Sequence, residues 1–141
     1  KSHRNDHNRS IRLEDLARGI KTVSELYSVQ KEIRAADATY FSLSNRLHHF
    51  GDELEDFSDT AALVELMDVI VSVDTSVAHL AGALGKKVFL LLPFAADFRW
   101  FKEPNSSPWY PEMRLFRQGP DRSWSPVLSQ VDKAISDLIS C

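Results

Sequence analysis

At 141 residues, 43% hydrophobic and 26% charged, the chain has the composition of one ordinary globular domain. Its 17 basic and 20 acidic residues leave a net charge of -3, which argues against the strong basic excess of a general nucleic-acid binder. No apolar run approaches the ~20 residues needed to span a bilayer, and the lone cysteine, Cys141, rules out a disulfide or a thiolate metal site within one chain.

The first ten residues, Lys1 to Ser10, are polar and charged, with neither a signal-peptide apolar core nor an initiator methionine. The sequence is therefore read as a piece of a longer protein, and a cytoplasmic setting is expected. Arg4, Arg9 and the neighbouring His and Asn side chains suit a diphosphate, which arginine grips through its two-pronged fork; a frayed terminus is the competing reading. Leu26 to Val29 suits a short strand. Beyond it, Ser28 to Glu32 forms a polar turn in which Glu32 can accept from ribose hydroxyls and Lys31 can approach a phosphate; polar turns of this kind also arise for purely structural reasons. Ile33 to Leu47 is compatible with a helix ending near His48-His49. The acidic stretch 51–59 reads as a solvated loop. Ser58-Asp59-Thr60 supplies caps for a helix over Ala61 to Met67.

Val69 to Val73 is rich in β-branched residues, as a buried parallel strand should be. Asp74-Thr75-Ser76 follows, and then Val77, Leu80, Ala81 and Leu84 recur at helical spacing. The spacing puts these four on the core face and Thr75, His79 and Gly82 opposite, with His79 directed to solvent or a cleft. Gly85 ends that helix, and Lys87 to Leu92 forms another strand stopped by Pro93. An aromatic and proline-rich connection follows, in which Asp97, Arg99 and Trp100 are candidates to line a cleft, and Phe94 and Phe98 to pack a base or a nearby loop. Met113 to Arg117 suits a last strand, and Trp124 to Ile139 a closing helix. Alternating strands and helices predict an α/β fold with a parallel sheet between helical layers.

The segment 69–85 is the strongest local signal. A buried strand runs into Asp74, Thr75 and Ser76, which open a helix; ligands of open parallel sheets bind beyond the carboxyl ends of the strands. The free N–H groups and positive dipole end of a helix start suit a phosphate. Ordinary capping by Asp74 or Thr75, with His79 on the surface, accounts for the spacing equally well. There is no G-x-G-x-x-G, no Walker A pattern and no G-x-S-x-G elbow. The five histidines show no zinc-site spacing, so no metal is expected.

Asp74-Thr75-Ser76-Val77-Ala78-His79-Leu80-Ala81-Gly82-Ala83-Leu84-Gly85 resembles the donor-site motif of the ADP-heptose:lipopolysaccharide heptosyltransferase family. It is closer still to bacterial tetratricopeptide-repeat proteins with a heptosyltransferase-like C-terminal region. Asn5 to Ile11, Tyr27 to Glu32, Leu92 to Trp100 and Ser107 to Pro111 are similar to segments of the same group, so the resemblance covers nearly the whole chain. It implies a Rossmann-like three-layer domain over 1–141, the C-terminal half of a GT-B fold, whose N-terminal acceptor domain, with or without tetratricopeptide repeats, lies elsewhere in the protein. The implied activity is metal-independent inverting glycosyl transfer. The nucleotide-diphosphate-sugar is a donor substrate rather than a cofactor, and the fragment is inactive without its other half.

Carried over by position, Thr75, Ser76 and the amides after them hold the donor diphosphate, and Asp74 lies near the sugar. His79 lines the same helix face, Arg9 is the basic residue near the phosphates, and Glu32 faces the nucleotide. Ser76 stands where the heptosyltransferase motif has glycine, and the first strand of the domain is expected to lie before Lys1. The rival expectations are a non-catalytic interaction module of a repeat protein and a sugar epimerase of the same architecture, with Asp74, Asp97 and Glu32 as its only candidate carboxylates.

Overall fold

A run of apolar residues without polar alternation is satisfied by a strand covered on both faces. The computed structural model, which describes residues 10–96, 98–101 and 105–141, builds the chain around such a strand. In chain order the elements are α1 (Leu13–Gly19), β1 (Leu26–Ser28), α2 (Ala35–Leu43), β2 (Leu47–His49), α3 (Phe57–Glu65), β3 (Ile70–Val73), α4 (Ser76–Ala83), β4 (Val88–Leu92), β5 (Met113–Arg117) and α5 (Ser125–Ile139). Short 3-10 turns occupy Gly51–Glu53 and Phe98–Trp100. No helix among the described residues is long and apolar enough to cross a membrane.

All pairing between the named strands is parallel, and an isolated antiparallel bridge joins Ser106 to Arg114 of β5. β3, β4 and β5 lie side by side, with Ile70 opposite Val88 and Val88 opposite Met113. β1 pairs with β2, Leu26 opposite Leu47. All five residues of β4 are buried, and they alternate between two cores. Val88, Leu90 and Leu92 meet Ala78 and Ala81 of α4, Val64 of α3, Met113, Leu115 and Trp100. Phe89 and Leu91 meet Ile20, Phe116 and the α5 residues Val127, Leu128, Val131 and Ile135. Each fully buried Leu or Phe contributes about 1.5–3 kcal/mol. The result is a Rossmann-like α/β arrangement, helices on both faces of parallel strands, as the alternating pattern predicts. The expected sheet is divided: among the described residues it forms a pair and a triplet of strands.

Three local expectations are corrected, and one helix, α1, lies where none was expected. Helix α2 ends at Leu43 rather than Leu47, because Leu47 is drawn into β2 opposite Leu26. The cap of α3 is Asp56, whose side chain accepts from the amides of Ser58 and Asp59 while the Asp59 carboxylate accepts from the Asp56 amide. That reciprocal box starts the helix ahead of Ser58. The buried stripe of α4 is Ala78, Ala81 and Gly82, with Leu84 exposed. Small residues let this helix lie close to its neighbours, and Gly85 at φ 72° supplies the left-handed turn that ends it. Finally, α1 carries no side-chain cap and is too short to persist alone.

Long-range contacts hold α1 in place. Asp37 accepts from the Leu13 amide and pairs with Arg34, which donates to the Ile11 carbonyl. Arg46 donates to the carbonyls of Ala17, Ile20 and Val23 at the other end, a cation placed on the negative end of the helix. Asp132 of α5 accepts from the Lys21 and Thr22 amides, both at 2.8 Å. Burial acts to raise the Asp132 pKa, but the Thr22 and Lys21 bonds outweigh it and hold the carboxyl below its usual range.

Arg46→Ala is expected to lower stability by about 1.5–3 kcal/mol in urea unfolding, with Lys at this position recovering only part. A carboxylate whose folded pKa is depressed stabilises the fold above its unfolded value and loses that contribution as pH falls through the folded one. Asp132→Asn should therefore lower the urea midpoint at pH 7. The gap to wild type should shrink below about pH 4; a constant gap across that window would refute the linkage.

Candidate functional site

Val73 ends β3, and the next residue, Asp74, turns its carboxylate into a cluster of aromatic side chains. The side chain is 12% exposed. One oxygen lies 3.1 Å from His79 Nε2, and the other accepts from Trp100 Nε1–H at 3.0 Å. The Arg99 guanidinium stands 3.7 Å away, an ion pair rather than a hydrogen bond. The second ring nitrogen of His79, Nδ1, lies 3.1 Å from the Tyr110 hydroxyl. The His79 ring stacks on fully buried Trp100 at 5.5 Å between centroids and meets Tyr110 edge-on.

Both nitrogens of His79 are therefore engaged. The one facing the carboxylate must carry its proton, so in the neutral ring Nδ1 accepts from the Tyr110 hydroxyl. His79 acts here as a connector between Asp74 and Tyr110, not as an unoccupied base. Gly82 makes this possible: a Cβ there would sit 2.7 Å from Tyr110 Cγ. The expectation that His79 and Gly82 share a side of α4 holds; Gly82 is buried there and the His79 side chain is 31% exposed. The connection between β4 and β5 folds back over that side.

Local bonds shape that connection. Ser107, itself buried, accepts through its hydroxyl from the amides of Trp109 and Tyr110. Trp109 Nε1–H donates to the Arg99 carbonyl at 3.2 Å. Arg117, at the end of β5, donates to the Trp100 carbonyl. Burial lowers the Arg117 pKa, and its Nε is buried without a hydrogen-bond partner among the described residues. The turn closes at Phe101 with φ 50°, a left-handed conformation costing an aromatic residue about 1–2 kcal/mol. Phe94, Phe98, Phe101 and Trp109 stay exposed around the cluster; Phe94 and Phe98 do not bury themselves against a neighbouring loop.

The start of α4 is arranged differently from the start of α3. Thr75 occupies the N-cap, yet its side chain does not cap. Its hydroxyl lies 3.1 Å from the Ser72 hydroxyl, which donates to the Val73 carbonyl. With the Ser72 proton committed, Thr75 is the donor between the two hydroxyls. Ser76 is exposed as the first helical residue. Among the described residues, no side chain caps the first-turn amides of α4, where those of α3 receive Asp56.

The structure brings Asp74, Thr75, Ser76 and His79 together at one strand-to-helix junction. Lys31 and Glu32 sit past the carboxyl end of β1, both exposed. Lys31 Nζ reaches the Glu55 carbonyl at 3.4 Å, and neither residue is hydrogen-bonded or ion-paired to the Asp74 group. Arg9, Arg4 and Asp97 lie outside the described residues. Tyr110 was visible in the sequence only as part of an aromatic connection; its pairing with Gly82 across the fold had no local signal. Among the described residues, no group of His, Cys, Asp and Glu could hold a metal ion. A groove of ≈ 540 Å³ lies at the opposite, amino-terminal end of β4 and β5, lined by Lys87, Phe89, Glu112, Arg114 and Asp137. It shares no residue with the Asp74 cluster.

No family model matches the chain, and no solved structure matches it. The chain is similar to Protein FlbA of Caulobacter vibrioides, with 32% identity over 83 residues. That stretch is 59% of this chain and 14% of FlbA, so the similarity covers only a small part of that protein's length.

Gly82→Ala is expected to cost about 1–3 kcal/mol by forcing Tyr110 off the helix. In a Tyr110→Ala background the same change should be close to neutral, the coupling being read from a double-mutant cycle in urea. Equal costs in both backgrounds would mean that the ring does not need the glycine.

Proposed function

We propose that this domain binds the diphosphate of a nucleotide-sugar, as the donor half of a GT-B-type, metal-independent inverting glycosyltransferase. The observation that carries the reading is the uncapped start of α4 directly beyond the carboxyl end of β3. Backbone N–H groups there, the positive end of the helix dipole and the Thr75 and Ser76 hydroxyls form a surface suited to a phosphate. The sequence motif through Asp74 to Gly85 agrees with it, as does the general placement of ligands in open parallel sheets.

Asp74 imposes a constraint on the pose. A carboxylate repels a phosphate, so the diphosphate belongs on the amide side of the helix start, with Asp74 turned inward to Trp100 and His79. In the transfer itself an acceptor oxygen attacks the anomeric carbon, the bond from that carbon to the diphosphate oxygen breaks, and the nucleoside diphosphate leaves with the electron pair. The domain contributes by stabilising charge on that leaving group through preorganised donors. With both nitrogens of His79 engaged, the base that takes the acceptor proton is assigned to another part of the protein. On this reading Lys31, Glu32 and Arg9 are further donor contacts and the setting is cytoplasmic.

One observation favours a second reading, an interaction module without chemistry. Phe98, Phe101 and Trp109 are 85%, 56% and 60% exposed beside the cluster, and such patches mark surfaces that meet a partner. Nucleotide affinity separates the two.

Titration with ADP, UDP and GDP, followed by backbone amide NMR, should shift the resonances of Thr75 to His79 for one base above the others. Ser76→Pro offers a sharper check. Thr75 is extended at φ -139° and ψ 168°, the conformation a following proline requires, and proline is well tolerated at the first helical position. The variant should keep wild-type stability within about 0.5 kcal/mol while weakening nucleotide binding roughly tenfold by removing one amide and one hydroxyl. Unchanged affinity would count against the site.

A further inference from the structure

The groove at the amino-terminal end of β4 and β5 has walls of two kinds. One wall is the sheet. Arg114 lies beside Phe89 in the strand register, so both side chains leave the same face, the one on which Phe89 packs with α5. The other wall is a flank of α5, where Ala134, Asp137 and Leu138 recur at helical spacing and Cys141 follows just past the helix end. Phe89, Met113 and Ala134 are buried, so the floor between the walls is apolar. A small side chain at Ala134 leaves the floor open beside the larger rings of the sheet.

Charges of both signs surround this floor. Lys87 and Glu112 stand immediately before β4 and β5, Arg114 is on the sheet wall and Asp137 on the helix wall. Elsewhere in the chain opposite charges at the surface pair, as Arg18 does with Glu14 and Arg34 with Asp37. Among the described residues, none of the four groove side chains is ion-paired or hydrogen-bonded, so Arg114 and Asp137 face the groove without meeting. The Arg114 guanidinium lies 5.0 Å from the centre of the Phe116 ring. Stacking steadies this long side chain and leaves its N–H edge available to an acceptor.

We propose that this groove binds an apolar α-amino acid in its zwitterionic form. Two cations and two carboxylates surround the floor, so their charges cancel. A pure anion such as a phosphate is repelled by Glu112 and Asp137, and a pure cation by Lys87 and Arg114. A molecule with both charges on one carbon satisfies both walls at once. Its carboxylate accepts from the Arg114 fork, its ammonium donates to the Asp137 carboxylate, and its side chain lies on Phe89, Met113, Ala134 and Leu138.

Size and composition agree with such a ligand. The volume of ≈ 540 Å³ falls within the roughly 300–1,000 Å³ of small-ligand sites, which combine apolar walls with a few polar groups that fix orientation. Burying a leucine- or phenylalanine-sized side chain supplies affinity, and the two opposed charges select a ligand that carries both. The groove shares no residue with the Asp74 cluster, so the inference does not depend on nucleotide binding there.

Cys141 lines the groove, is exposed and is the lone cysteine of the sequence, so its alkylation by iodoacetamide reports occupancy. L-leucine or L-phenylalanine at millimolar concentration should slow that alkylation several-fold. N-acetyl-leucine and leucinamide each lack one charge and imitate a peptide end; both should need roughly tenfold more for the same protection. Arg114→Gln and Asp137→Asn alter exposed side chains and should leave the urea midpoint nearly unchanged, while each weakens protection by leucine roughly tenfold. Absence of protection by either amino acid would overturn the proposal. So would equal protection by leucine and its two derivatives, which would mean an apolar groove indifferent to charge, or protection that survives both substitutions.

Discussion

The carboxylate of Asp74 joins three parts of the chain by hydrogen bonds, in addition to the core that they share. It stands at the end of a buried strand, accepts from His79 one helical turn into α4, and accepts from the indole of Trp100 in a connection that follows the next strand. Trp100 is fully buried, so its N–H has no water to turn to, and losing its acceptor costs about 1–3 kcal/mol. The Arg99 pairing, the Trp109 bond to the Arg99 carbonyl and the Tyr110–His79 contact all follow from where Trp100 is held. The sheet supplies the rigid position, and the carboxylate converts it into a shaped surface.

That surface divides into a closed and an open part. The His79 face of α4 is covered by aromatic rings, and its polar atoms are used internally. The first turn of the same helix is left uncapped, although α3 in the same chain shows how fully an acidic side chain can occupy such a turn. On the proposed reading, the start left uncapped among the described residues is where an anionic ligand is received.

The parts of this arrangement legible in the sequence are those fixed by local pattern. β3 and β4 are dense apolar segments, α5 has a long amphipathic period, and the Asp74-Thr75-Ser76 junction stands out between strand and helix. The parts that were not legible depend on distant contacts. α1 forms because Asp37 and Arg46 hold its two ends, and Leu47–His49 becomes a strand because Leu26 lies opposite. The inward turn of His79 depends on Tyr110, 31 positions away, and the fixing of Asp74 on Trp100, 26 positions away. A helical wheel placed Val77, Leu80, Ala81 and Leu84 in the core. The structure buries Ala81 and packs Val77 against the core, but it adds Ala78 and Gly82 and leaves Leu84 exposed, because close approach of helix, sheet and Tyr110 favours small side chains over apolar bulk.

The most direct measurement of the central role of Asp74 is the solvent exchange of the Trp100 indole proton by NMR, in wild type and in Asp74→Ala. A buried donor held by a carboxylate should exchange slowly in the wild-type protein. In the variant it should exchange quickly, with the Tyr110 and Trp109 resonances shifting alongside it. An indole signal that remains protected and unmoved in the variant would show that the connection is held without Asp74, and would contradict the account.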